Sequence, residues 1–184
     1  MTFEEYRQLR AYSWYDGIYL AILWIASFAC LGGIAIFPPL SIISVLIALS
    51  TPFFVAYRLR LFREEGLKGN ISFLRAFVYC IRVFLNAALL FAIAQWAYMQ
   101  FIDNGRFASF IQTSVASPEM QEAMTKAGYP QELLQEAVKV FQNITPIEFA
   151  TTYFIENCMI GIGLSFIIAF IMKKDRSSYS NAQL

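Results

Sequence analysis

Four long apolar stretches set the outline of this chain, at residues 13–37, 40–57, 76–101 and 149–172. Each is close to or above the ~20 residues that a helix needs to cross a hydrocarbon layer. Pro38 and Pro39 separate the first two, which therefore read as a tight helical hairpin, since prolines cannot continue the first helix. Pro52, preceded by Ser50 and Thr51, predicts a kink in the second stretch, with the two hydroxyls available to satisfy freed backbone groups. The expected fold is an all-α membrane protein, a single membrane domain of four transmembrane helices covering residues 1–184.

The polar segments between the spans predict its orientation. "RLRLFREEGLKGNISFLRAF" carries Arg58, Arg60, Arg63, Lys68 and Arg75 against Glu64 and Glu65. Such a basic loop stays in the cytoplasm, and the basic "KKDR" after the last span agrees with it. Residues 103–146, between the third and fourth spans, are rich in acids and poor in Lys and Arg, so they are expected outside. That insert has its own helical signals. Ser117 suits an N-cap, Pro118 a first helical position and Gly128 a C-terminal stop. Leu133, Leu134, Ala137, Val138 and Phe141 mark one apolar face of a second short helix ended by Pro146, and a third is expected at 105–113. Together they predict a small extracytoplasmic cap whose apolar faces rest on the membrane, the bundle or a partner.

Composition narrows the chemistry. With 58% hydrophobic residues, 15% charged ones and a mean hydropathy of +0.53, the 184-residue chain is too apolar for a soluble domain. It has no histidine, which excludes Ser-His-Asp, Cys-His and HExxH chemistry. Cys30, Cys80 and Cys158 lie far apart in apolar runs and read as buried free thiols. No catalytic residue, metal ligand or cofactor is expected. A net charge of +1 gives no reason to expect nucleic acid.

Polar side chains within spans are expensive and are the default functional candidates. They are Asp16, Arg82, Asn86, Gln95, Glu156 and Asn157. Counting residues from the span ends puts Asp16 and Arg82 at similar depth on co-directional helices, which predicts an ion pair near the cytoplasmic interface. The same counting brings Glu156 level with Gln95, and a carboxyl in hydrocarbon with no cation beside it is driven to its neutral, hydrogen-bonding form. "GIG" at Gly161 to Gly163 lies in an apolar helix with no strand before it, so it reads as a helix-packing surface, as do Gly32 and Gly33. Candidate contacts to anionic lipid are Arg58, Arg60, Arg63, Lys68, Lys173 and Lys174.

Three features taken together resemble the DUF4199 family of small four-span proteins found mainly in Bacteroidetes. They are the "WYDGIYLA" start of the first span with Gly17, the "RLFREEGLKGNISFLRAF" approach to the third, and the acidic pair of short helices before the fourth. Asp16 stands beside Gly17 where the family pattern suggests an uncharged residue. The resemblance implies a bacterial inner-membrane protein with both termini cytoplasmic, of uncharacterised activity, with no catalytic residues to carry over. The expected function is a non-enzymatic accessory or scaffold component of the cell envelope. Its expected partners are the bilayer and a membrane or periplasmic protein docking on residues 103–146, with homo-oligomers as an alternative. A small oligomeric transporter or channel using Glu156 is the second reading, and a membrane-embedded enzyme the last.

Overall fold

The computed structural model of the chain describes residues 3–174 apart from 35, 131, 134–135, 137–138 and 141–142. It is helical, with no strand among the described residues. Its helices include α1 (Phe3–Gly32), α2 (Leu40–Leu61), α3 (Phe73–Phe101), α4 (Arg106–Ala116), α5 (Pro118–Lys126) and α6 (Pro146–Met172). A wider, π-type turn at Phe62–Gly66 extends α2. Four helical segments are long and apolar enough to cross a membrane: Phe3–Gly32, Leu40–Gly66, Phe73–Phe101 and Pro146–Met172.

Two of these spans differ from the hydrophobic pattern in instructive ways. α1 begins ten residues before the expected start, because "FEEYRQLRAY" contains no helix breaker and its Leu9 is fully buried. It stops at Gly32 rather than Phe37, where the Gly33 N–H turns back to the carbonyls of Ala29 and Cys30, each at 3.1 Å. Gly33 serves this turn rather than a helix pair, since a Cβ on it would lie 2.7 Å from Leu40 Cδ1. α2 runs four residues past Tyr57, so the first half of the expected basic loop is helix. Lys68 and Gly69, at φ of 56° and 88°, finally end it. α2 also continues unbroken through Pro52. Next to it the Thr51 hydroxyl accepts a 3.0 Å hydrogen bond from Trp24 Nε1, and the Ser50 hydroxyl donates to the Ile47 carbonyl at 2.7 Å.

Packing divides the chain into two compact units, one built from α1, α2, α3 as far as Ala92 and α6 from Tyr153, the other from Ile93 to Thr152. The first unit buries Leu9, Leu20, Val55, Leu59, Phe62, Tyr79, Val83 and Phe84, whereas Ile22, Leu46, Phe53, Leu89 and Met159 are exposed apolar residues suited to lipid. Lipid tails are as apolar as leucine, so close backbone approach rather than hydrophobicity holds spans together. Gly17 provides one such approach: a Cβ there would lie 2.6 Å from Asn86 Cβ and 3.2 Å from the Val83 carbonyl. Gly161 provides another, with Phe84 Cβ at 2.7 Å. Gly163, by contrast, faces open space, so only the first glycine of "GIG" packs.

In the second unit, Asn104 and Gly105 adopt left-handed backbone after α3, and Asp103 Oδ1 accepts the Phe107 N–H at 2.9 Å in the first turn of α4. Ser117 caps α5 as expected, its hydroxyl accepting the Met120 N–H at 3.3 Å, and Gly128 at φ 78° closes that helix. α6 starts with a reciprocal cap. Glu148 Oε2 accepts the Thr145 N–H at 2.9 Å while Thr145 Oγ1 accepts the Glu148 N–H at 3.3 Å. Much of the apolar face expected between them, including Leu134, Ala137, Val138 and Phe141, lies outside the described residues, as do Asp175 and Arg176 of the basic tail.

Candidate functional site

Charged and polar side chains collect at one end of the first unit. Four contacts gather the start of α1, the end of α2, the start of α3 and the end of α6 there. Gln8 Nε2 donates to the Gly66 carbonyl at 3.3 Å, and Arg75 Nη2 reaches Glu5 Oε2 at 2.7 Å. Arg63 Nη1 donates to the Met172 carbonyl at 3.0 Å, and Ile71 and Lys174 exchange backbone hydrogen bonds of 3.0 and 2.9 Å.

Deeper from this end lies the centre of the site, the Asp16 carboxylate. Asp16 is 13 residues into α1, about 20 Å along its axis. Arg58 of α2 donates to its Oδ1 through both Nε and Nη2, and the Tyr79 hydroxyl of α3 donates to its Oδ2. Both carboxylate oxygens are thus occupied, and three helices meet on one anion. Asp16 is only 1% exposed, while Arg58 keeps 27% of its side chain accessible, with its guanidinium 5.3 Å from the Tyr19 ring. Phe62 stacks on Tyr79 at 4.8 Å and so fixes the phenol on its other side. A buried ion pair of this kind needs hydrogen bonds on both carboxylate oxygens to offset the cost of taking the charges out of water.

This arrangement corrects the expected Asp16–Arg82 pair. The acid is taken by Arg58, expected as a lipid contact of the basic loop, because α2 stays helical through Leu61 and delivers Arg58 alongside α1. Arg82 instead points back toward the charged end, as helical side chains do, and its Nη1 meets the Tyr6 hydroxyl at 3.2 Å. Its carbon Cζ lies 5.7 Å from the Tyr6 ring centre, and its Nε is buried without a hydrogen-bond partner. One turn deeper, Asn86 Nδ2 donates to the Ser13 carbonyl at 3.3 Å beside the Gly17 contact.

The other candidates divide. Arg63 is engaged by Glu64 as well as by Met172 and is only 13% exposed, so like Arg58 it is not a free lipid contact. Arg60, Lys68, Lys173 and Lys174 are exposed, with Lys173 over the Phe170 ring at 4.7 Å. Asn157 bonds within its own helix, to the Tyr153 carbonyl at 2.7 Å, and not to another span. Glu156 is exposed rather than buried. Gln95 is 1% exposed, and neither atom of its amide has a partner. Sequence reasoning missed Tyr79, Tyr6, Glu5 and Arg75. A signal was present: Arg75, Tyr79, Arg82 and Asn86 recur at the 4, 3 and 4 spacing of one helix face.

Among the described residues no group of three or more His, Cys, Asp or Glu side chains is placed to hold a metal ion. Four apolar helices, with an ion pair and hydrogen bonds joining three of them, define a multi-pass membrane protein. The chain belongs to the DUF4199 family, proteins of unknown function, which it matches over residues 15–174. No curated protein and no solved structure matches it.

Proposed function

We propose that this protein is a non-enzymatic accessory or scaffold component of the bacterial cell envelope. It would sit in the inner membrane with both ends in the cytoplasm and the acidic insert outside. The observation that carries this reading is the contrast between the polar groups of the spans. Asp16 has both its oxygens bonded inside the protein, whereas Glu156, ten residues into α6, stands exposed beside the equally exposed Ile155, Met159 and Ile160. A carboxyl facing hydrocarbon is costly, and a hydrogen-bonding side chain on another chain relieves that cost. An assembly partner in the membrane therefore explains Glu156 better than a catalytic role does.

The test is photo-crosslinking in native membranes from positions 159 and 160, with position 22 of α1, also exposed, as the comparison. The reading expects a discrete protein adduct from α6 that Glu156→Leu weakens, and little from α1. Adducts to lipid alone at all three positions would sink it. A small oligomeric transporter or channel is the second reading, favoured by the unpartnered Gln95 amide. A pH-dependent flux in proteoliposomes that Glu156→Gln abolishes without loss of stability would establish that reading instead.

A further inference from the structure

The charged end holds three guanidinium groups, those of Arg10, Arg60 and Arg82, that no acid among the described residues answers. Glu5 is bonded to Arg75, Glu4 to Arg7, Glu64 to Arg63, and both oxygens of Asp16 are taken. Neither Arg82 nor Arg10 has an acidic partner among the described residues. Tyr6, Arg10, Ser13 and Gly17 fall within about 60° of arc on α1 at 100° per residue. Three of these four positions touch α3, at Arg82, Asn86 and Val83, so Arg10 stands on the α3-facing side of α1, one turn beyond Tyr6.

The donors of Arg82 are divided in a telling way. Its Nη1 is used by the Tyr6 hydroxyl, while its Nε is shielded and unbonded. The Nε and Nη2 edge of a guanidinium is the fork that matches two oxygens of a phosphate. Tyr6 covers the group, and at 39% exposure on the first turn of α1 it is a cover that can move. We infer that Arg82 and Arg10, with Tyr6 as their cover, form a binding site for a phosphate oxyanion at the charged end of the first unit. The ligand bonds the free fork of Arg82, and Arg10 supplies the second cation. A lipid headgroup and a soluble phosphate share this chemistry, so the experiment separates them.

The full chain in mild detergent is examined by native mass spectrometry with phosphatidylglycerol and with phosphatidylcholine, and by thermal shift with inorganic phosphate. Phosphatidylglycerol adducts that Arg82→Gln weakens about tenfold, the worth of one charge-assisted bond, identify a lipid headgroup as the ligand. Arg82→Lys recovers only part of that loss, because it restores charge without the fork. Stabilisation by inorganic phosphate that Arg82→Gln removes identifies a soluble ligand, and both effects together identify a site open to either. Arg7→Gln, about 60° further round α1 than Arg10 and paired with Glu4, serves as the charge control. An equal loss in Arg7→Gln reduces the effect to diffuse attraction and overturns the site, as does unchanged binding in Arg82→Gln. If Arg82→Gln does not accumulate, Arg10→Gln decides, since its side chain is exposed. Weakened phosphate or phosphatidylglycerol binding supports the site, and unchanged binding overturns it.

Discussion

Breaking the Asp16–Arg58 pair from its two sides should give unequal costs. Arg58→Met keeps most of the aliphatic stem and removes the charge, leaving Asp16, 1% exposed, with only the Tyr79 hydroxyl on one oxygen. Stranding a buried charge in this way costs about 3–5 kcal/mol, with the remaining Tyr79 bond holding the value toward the lower end. Asp16→Asn is gentler. The amide still accepts from Arg58, and the guanidinium, already 27% exposed, can extend toward the charged end, so about 1–2 kcal/mol is expected. The double variant Asp16→Asn with Arg58→Met has no stranded charge and should be more stable than Arg58→Met alone. Its coupling energy should reach about 1.5 kcal/mol or more, a tenfold change in the unfolding equilibrium. Reversible unfolding of the full chain in mixed micelles of rising SDS fraction, followed by tertiary fluorescence and helical circular dichroism, measures all three. Additive single effects, or an Asp16→Asn cost equal to that of Arg58→Met, would refute the buried-pair reasoning.

The same unfolding assay tests three further points. Gly161→Ala should destabilise by about 1–3 kcal/mol, because the added Cβ meets Phe84, itself 2% exposed, whereas Gly163→Ala has open space and should change stability by no more than about 1 kcal/mol, in the favourable direction. Equal effects at the two glycines would contradict the packing. Gln95→Leu removes a buried amide with no hydrogen bond and should stabilise by about 1–3 kcal/mol; a loss of stability would mean that the amide is bonded. Thr145→Ala removes one half of the α6 cap and should cost about 1 kcal/mol, with faster amide exchange confined to the first turn of α6. Unchanged exchange there would show the cap to be without effect.

The span count was legible because it depends on composition over some twenty residues, a quantity that no tertiary contact alters. Ser117 and Gly128 were legible for a related reason: capping is local chemistry, and the cap and its helix lie within a few residues of each other. The Thr145-x-x-Glu148 box was equally local and readable, and was passed over in favour of Pro146. The ends of α1 and α2 were misjudged because hydropathy marks where a span is apolar, not where the helix stops. Between Phe3 and Tyr12, and again from Arg58 to Phe62, charged residues interrupt the apolar run but there is neither glycine nor proline, so backbone propensity carries the helix on.

That distinction decides the partner of Asp16. Reading Arg58 as loop removed it from the set of intramembrane cations and left Arg82 as the apparent match at equal depth. Depth alone ignores two directions that the helix imposes. Side chains lean toward the N-terminus of their own helix, which carries Arg82 of α3 outward to Tyr6 and away from Asp16. α2 runs the opposite way to α1 and α3 across the same layer, so a residue near its C-terminal end can lie beside one well inside α1, as Arg58 does. The polar stripes carry the register that depth lacks: Arg75, Tyr79, Arg82 and Asn86 on α3 follow 4, 3 and 4 spacing, Tyr6, Ser13 and Gly17 on α1 lie on one face at 7 and 4, and each of these α1 residues touches this face of α3 or the adjoining Val83. Matching stripes, rather than matching depths, is therefore the inference that a four-span sequence of this kind supports, and it sets Arg82 opposite Tyr6 rather than opposite Asp16.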